Sequence, residues 1–214
     1  MELTAHPSSH PGDHIFWDRI ADRYARQPIA DQAAYQRKLD VSREYFRSDM
    51  NVLEFGCGTG GTALLHAPYV KHIRASDISP QMIAIAEAKR SEAKTENVSF
   101  EVGTIESLSA PDGTLDAVLG LSILHLLEDK EAAIARVYRM LKPDGVFISS
   151  TACLGDTMKF FKVIAPIGRV MGLMPMVKVF TSEHLKTALK RAGFKVEYTW
   201  QPRKGKAIFM VARK

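Results

Sequence analysis

Cysteine is scarce in this sequence. Of its 214 residues only Cys57 and Cys153 are cysteines, too few for the disulfide framework that stabilises small secreted domains. Residues 1–12 are polar and lack the basic cluster and apolar stretch of a signal peptide. We therefore expect a reduced, cytoplasmic protein without a transmembrane segment.

Acidic residues are scarce in the last third of the chain. From Cys153 onward there are 13 Lys and Arg against 3 Asp and Glu, whereas residues 1–152 carry 16 basic and 21 acidic groups. A basic surface of this kind can meet nucleic acid, an anionic membrane or an acidic substrate, or it can be an ordinary solvated face. Composition alone leaves these alternatives open.

The remaining composition predicts one α/β domain. The length and the 46% hydrophobic content suit a single core of that size. Residues 14–46 show helical spacing in two pieces, interrupted at Pro28. Short apolar stretches then alternate with helical patterns, which predicts a parallel sheet with helices on both faces. The predicted strands are 51–55, 72–77, 98–102, 115–119, 145–150, 195–200 and 206–212, and the predicted helices are 60–68, 80–92, 128–141 and 182–192.

A glycine-rich turn follows the first predicted strand. Residues 52–61 read VLEFGCGTGG, and glycines at such a turn let the backbone pass close to a ligand at the carboxyl end of the sheet. Gly56, Gly58 and Gly61 also satisfy the dinucleotide fingerprint G-x-G-x-x-G. The turn by itself therefore fits either an NAD-dependent oxidoreductase or another nucleoside-binding enzyme.

Three motifs in combination separate these interpretations. The pattern Glu54-x-Gly56-x-Gly58-x-Gly60, the acid Asp77 closing the second strand, and the turn 141–145 (LKPDG) before the fifth strand together resemble class I S-adenosylmethionine-dependent methyltransferases. The resemblance runs from about residue 51 to the end. It implies a seven-stranded Rossmann-like sheet, mostly parallel with a C-terminal antiparallel hairpin, and S-adenosylmethionine as the cofactor. A pyrophosphate would be disfavoured beside Glu54, which argues against NAD.

The resemblance also implies roles for individual residues. Asp77 would accept hydrogen bonds from the ribose hydroxyls, and Glu54 would answer the cofactor's ammonium group, through water. Thr104 and the backbone N–H of Ile105 would reach the adenine ring. The full expected cofactor set is Tyr24, Glu54, Gly56, Cys57, Gly58, Gly60, Asp77, Ile78, Met82, Thr104, Ile105 and Leu121.

One histidine is a candidate general base. His125 follows the fourth strand, where the family places its substrate pocket, and histidine has a suitable intrinsic pKa. The alternative is a histidine packed among Leu124, Leu126 and Leu127. In the N-terminal helices, Lys38 or Arg37 is a candidate partner for the methionine carboxylate. The dispersed N-terminal histidines predict no metal site.

Missing motifs narrow the methyl acceptor. The chain lacks the Asn/Asp-Pro-Pro-Tyr motif of nucleic-acid and glutamine methylation, a Pro-Cys nucleophile and a paired-glutamate loop. We therefore expect a small, apolar or amphiphilic acceptor and no nucleic-acid partner. Residues 1–46 are expected to form a tail and lid helices, and residues 47–214 the methyltransferase domain, with an apolar, Met-rich substrate cap at about 153–181. A lipid-modifying enzyme at a membrane surface and a catalytically silent binding domain remain alternatives.

Overall fold

The structure, a computed structural model, describes residues 13–157 and 175–214. Its helices are α1 (Asp13–Arg26), α2 (Gln32–Glu44), α3 (Gly61–His66), α4 (Pro80–Glu92), α5 (Lys130–Met140) and α6 (Ser182–Arg191). Its strands are β1 (Asn51–Phe55), β2 (His72–Asp77), β3 (Val98–Val102), β4 (Leu115–Leu121), β5 (Leu141–Thr151), β6 (Lys195–Trp200) and β7 (Ile208–Arg213).

The seven strands form one sheet in the order β3-β2-β1-β4-β5-β7-β6. The first five pair in parallel, whereas β7 runs antiparallel to both β5 and β6. This arrangement confirms the predicted Rossmann-like sheet with its C-terminal hairpin. The strand order reverses direction between β1 and β4, and ligands of open α/β sheets bind at such a switch point.

Helices cover both faces of the sheet because each face presents its own apolar surface. One core contains Ile134 from α5 and Leu189 from α6, and the other contains Val41 from α2 and Ala63 from α3. Full burial of a side chain such as Ile134 contributes about 1.5 to 3 kcal/mol. The two cores fix the sheet between its helices and hold the carboxyl ends of the strands in place.

Local capping explains where the predicted elements begin and end. The Ser79 hydroxyl accepts a hydrogen bond from Met82 N–H and Pro80 stands at the first position of α4, as predicted. Helix α5 begins at Lys130 rather than 128, because Asp129 caps its first turn. The helix predicted at 60–68 ends at His66 and continues as a single 3-10 turn that contains Pro68.

Most of the predicted cap lies outside the described residues. The structure does not describe residues 158–174, which contain most of the basic and apolar side chains on which that prediction depends. Residues 175–180 are described, and Met176 and Phe180 are buried there. Among the described helices, none combines the length and hydropathy needed to cross a membrane.

Candidate active site

A cavity of about 760 Å³ opens at the carboxyl ends of β1, β2 and β4. This volume lies in the upper part of the range of small-molecule sites, roughly 300 to 1,000 Å³. Of the predicted site residues, Gly60 and His125 do not line it. Those that line it are Tyr24, Glu54, Gly56, Cys57, Gly58, Asp77, Ile78, Met82, Thr104, Ile105 and Leu121.

The glycine turn needs its glycines for two different reasons. Gly56 has φ +68°, and a Cβ there would lie 2.7 Å from Cγ1 of Ile123, on the cavity side. Gly60 has φ +74°, and its Cβ would lie 2.5 Å from Cζ of Phe100 and 2.8 Å from Cβ of Ala86, behind the turn. Gly60 therefore shapes the turn by close packing rather than by facing the cavity.

Asp77 is held in place by the backbone around it. Its Oδ2 accepts a hydrogen bond from Gly58 N–H at 2.8 Å, and its Oδ1 accepts one from Ser79 N–H at 3.0 Å. Burial raises the pKa of Asp77 above its usual value, and the backbone N–H donors of Ser79 and Gly58 oppose that rise. The carboxylate thus ties the glycine turn to the start of α4 while it borders the cavity.

Helix α1 is fixed over this site by a residue that sequence reasoning missed. Oδ1 of Asp18 accepts hydrogen bonds from the Ser79 hydroxyl at 2.5 Å and from Gln81 N–H at 3.2 Å. One turn and a half later, Tyr24 stands 3.7 Å from the position that a Gly58 Cβ would occupy. Burial raises the pKa of Tyr24, and the charge of Asp77 adds to the rise.

Glu54 is a buried carboxyl group that forms no hydrogen bond or ion pair with residues 13–157 or 175–214. Its side chain is 2% exposed, and among the described residues its Oε2 forms no hydrogen bond. Burial first, and the charge of Asp77 second, raise the pKa of Glu54 from 4.5 to about 8. An orphaned buried carboxyl beside a cavity calls for a cationic or donor group. The residues therefore fit a ligand that carries an ammonium or sulfonium group.

The raised pKa of Glu54 predicts how stability depends on pH. Between pH 4.5 and 8 the folded protein holds a proton on Glu54 that the unfolded chain lacks, so stability falls as pH rises. Buried His66 and His125, with pKa values lowered to about 4, act in the opposite direction below pH 6.5. From pH 6.5 to 8 we expect cofactor-free protein to lose about 2 kcal/mol of unfolding free energy.

Urea unfolding at several pH values measures this loss, and Glu54→Gln is the matched variant because it keeps the shape and removes the titration. The variant should show a nearly flat profile over the same window. Equal slopes in the two proteins would show that Glu54 is not protonated in the empty site.

The opposite wall of the cavity carries polar groups from α2. Tyr35 Oη and Thr62 Oγ1 lie 3.1 Å apart, and Lys38 Nζ donates a hydrogen bond to Ser150 Oγ at 2.8 Å. Burial lowers the pKa of Lys38. Arg37, the other predicted candidate, instead lies over the ring of Trp200 at 5.0 Å and does not line the cavity.

The adenine side predicted from the resemblance is built by α4 and the turn after β3. Met82 is almost fully buried and Ile78 half-buried, and both face the cavity. Thr104 N–H donates a hydrogen bond to Ser107 Oγ at 2.9 Å, and Ser107 N–H donates one to Thr104 Oγ1 at 3.3 Å. The carbonyl of Ile105 accepts a bond from Arg136 Nε at 2.7 Å. These bonds fix the backbone that adenine is expected to contact.

Besides Glu54, the titratable side chains of His125, His66 and Cys57 are also neutral at pH 7. His125 lies in a 3-10 turn after β4, with its Nδ1 buried and lacking a partner in the described part of the chain. His66 was not predicted, yet it lines the cavity and is fully buried. Burial, with the charges of Glu54 and Asp77, raises the pKa of Cys57 well above its usual value, so its thiol stays protonated.

Comparison with known proteins agrees with this geometry. The family model for a methyltransferase domain matches residues 52–145. The uncharacterized methyltransferase YcgJ of Bacillus subtilis is 37% identical over 102 residues, which are 48% of this chain and 40% of that protein. Its crystal structure superposes with a TM-score of 0.67 at 24% identity, over 77% of this chain and 72% of that one, and so shows the same fold.

Two further relatives cover more of the chain. A malonyl-[acyl-carrier protein] O-methyltransferase of Serratia marcescens is 29% identical over 67% of this chain and 56% of its own length. The mitochondrial arginine-hydroxylase NDUFAF5 of Rattus norvegicus is 30% identical over 80% of this chain and 48% of its own. The chain thus spans about half the length of the curated relatives it matches. The family-model match identifies residues 52–145 as a methyltransferase domain, and the sheet has the Rossmann-like fold of class I S-adenosylmethionine-dependent methyltransferases.

Proposed function

We propose that this protein transfers a methyl group from S-adenosylmethionine to a small, apolar or amphiphilic molecule. The observation that carries the proposal is the buried Glu54 carboxyl, which lies with Asp77 beneath the glycine turn and whose Oε2 has no hydrogen-bond partner within the described part of the chain. When bound, S-adenosylmethionine supplies a sulfonium methyl group that an acceptor can take by in-line displacement. The protein's own task is to hold the acceptor close and in line.

Each wall of the cavity has a separate binding task in this proposal. Asp77 accepts the ribose hydroxyls with the oxygen lone pairs that Gly58 and Ser79 leave open. Glu54 would release its proton to solvent and, as a carboxylate, bind the ammonium group through water. The remaining predicted contacts come from Ile78, Met82, Thr104 and Ile105 around adenine, from Gly56, Cys57 and Leu121 near the methionine moiety, and from Tyr24 above the turn.

The N-terminal helices would act as the lid over residues 47–214. Asp18 anchors α1 to the start of α4, and Trp17, Tyr24, Pro28 and Ile29 line the cavity from above. Ile29 and Tyr24 are exposed at 48% and 46% although they border the cavity. Apolar side chains in this position gain burial when a ligand fills the space beneath them.

The acceptor would enter beside β4 and β5. Leu121, Leu126, Leu127 and Met176 give this part of the cavity an apolar wall, and Met176 belongs to the proposed cap at about 153–181. A general base is needed only where the acceptor must lose a proton. His125 remains the proposed base for such an acceptor, but it would be a weak one, because burial lowers its pKa to about 4 and it does not line the cavity.

Transfer from cofactor labelled in the methyl group tests the proposed acceptor class. The protein is incubated with labelled S-adenosylmethionine and a complete cell extract, which is then separated into protein, nucleic acid, lipid and small-molecule fractions. We expect the label in the small-molecule fraction, and much less label when Asp77→Ala replaces the parent protein at a cofactor concentration near the parent's dissociation constant. Label confined to protein or nucleic acid would contradict the proposal, and label in the lipid fraction would favour the membrane-surface alternative.

A further inference from the structure

Lys38 reaches from the lid to a strand far from the glycine turn. Its Nζ lies 2.8 Å from Oγ of Ser150, near the carboxyl end of β5. In the sheet β4 separates β5 from β1, so the two strands lie about 10 Å apart. The proposed adenosine contacts lie on the other side of β1, at β2 and β3. The Lys38 ammonium therefore stands over the part of the cavity assigned to the acceptor.

The Lys38 ammonium forms no ion pair in the part of the chain that the structure describes, although the charge of Asp31 acts on it at longer range and opposes the lowering of its pKa by burial. It donates to a neutral hydroxyl, and no carboxylate of residues 13–157 or 175–214 forms an ion pair with it. An ammonium has three N–H donors, so two remain for a ligand. The acidic side chains on the described cavity wall are Glu54 and Asp77 beneath the glycine turn, Glu106 after β3, and Glu128, which follows Leu127.

The surface beyond Lys38 is mainly apolar, with Glu128 at its edge. The side chains of Leu121, Ile123, Leu127 and Met176 continue the cavity wall past the ends of β4 and β5. A half-buried cation beside such a surface selects a molecule with one anionic group and an apolar body. The carboxyl ends of β4 and β5 lie close together beside Lys38, because Ser122 N–H donates a hydrogen bond to the carbonyl of Ser150 at 2.7 Å.

We propose that Lys38 and Ser150 form an anion subsite for the methyl acceptor, which is thus an amphiphilic carboxylate. This inference rests on the proposed function. The subsite is a recognition site that orients the acceptor, and it is separate from the contacts to the cofactor's own methionine group.

Binding of paired probes to the product complex tests the subsite. The 214-residue protein, saturated with S-adenosylhomocysteine, is titrated by calorimetry with two pairs of probes. Each pair has an acid and the alcohol with the same apolar body: octanoate with 1-octanol, and 3-phenylpropanoate with 3-phenylpropanol. At least one acid should bind tenfold or more tightly than its alcohol. In Lys38→Met that preference should fall to within about twofold, with S-adenosylhomocysteine affinity unchanged within twofold. Arg37→Met, which removes the same charge from the adjacent position outside the cavity, should keep the preference.

Each contrary result has a distinct meaning. No acid preference in the parent protein, or no binding of either acid, overturns the subsite while the proposed function stands. A tenfold loss of S-adenosylhomocysteine affinity in Lys38→Met, with the acid preference retained, would assign Lys38 to the cofactor's carboxylate instead. Failure of the parent protein to bind S-adenosylhomocysteine at all would overturn both the proposed function and the subsite.

Discussion

Replacing Asp77 with alanine should weaken the binding of S-adenosylmethionine by roughly 30- to 140-fold. The change leaves both ribose hydroxyls without their charged acceptor, which should cost about 2 to 3 kcal/mol, the upper part of the range for hydrogen bonds to charged groups. The same carboxylate also receives the N–H groups of Gly58 and Ser79, so its loss loosens the glycine turn as well. Calorimetric titration of parent and variant with the cofactor measures the effect.

Asp116→Ala is the control for this prediction. Asp116 is another carboxylate that accepts a backbone hydrogen bond, from Asn51 N–H at 2.8 Å, but it lies at the start of β4, away from the cavity. Its loss should lower stability and leave cofactor affinity unchanged. Cofactor binding by Asp77→Ala that stays within twofold of the parent would show that Asp77 does not contact the ribose.

Gly60→Ala should destabilise the protein by roughly 2 to 5 kcal/mol. A non-glycine residue in the left-handed region costs about 1 to 2 kcal/mol, and overpacking adds roughly 1 to 3. The new Cβ would contact Phe100 and the Cβ of Ala86. The Cβ of Ala86 is bonded directly to the backbone of α4, so it cannot move away without moving the helix. For a chain of this length the melting temperature should fall by roughly 4 to 20 °C. Thermal unfolding followed by circular dichroism provides the measurement.

The adjacent glycine gives a matched control. At Gly61 a Cβ would have no neighbour within 4 Å, and the residue opens α3. Gly61→Ala should therefore leave stability unchanged or raise it by up to about 1 kcal/mol. If both variants melt at the same temperature as the parent, close packing behind the glycine turn is not what requires Gly60.

The first and last residues of a strand were predictable where neighbouring residues in the sequence mark both of its ends. The bounds of β1, β2, β3 and β6 match the prediction, because each apolar stretch ends at a turn. Strand β5 was predicted to begin at 145, but pairing of Leu141 with Leu115 of β4 brings in the preceding turn. Pairing between strands that are far apart in the sequence cannot be predicted from the few residues of one strand alone.

Most residues expected to contact the cofactor are marked by motifs and line one cavity, whereas the contacts between the N-terminal helices and the rest of the chain were not predictable. Glu54, the glycines and Asp77 lie at strand ends that a motif identifies. Asp18 reaches Ser79 from 61 positions away, and Lys38 reaches Ser150 from 112. Nothing in the sequence distinguishes Lys38 from Arg37 until helix packing turns one toward the cavity and the other onto Trp200.

Calorimetric titration of the purified 214-residue chain with S-adenosylmethionine, S-adenosylhomocysteine and NAD tests the central claim most directly. We expect both sulfur nucleosides to bind with dissociation constants in the micromolar range, about −7 to −8 kcal/mol, and NAD to give no heat of binding. Binding of NAD without a response to either sulfur nucleoside would contradict the account.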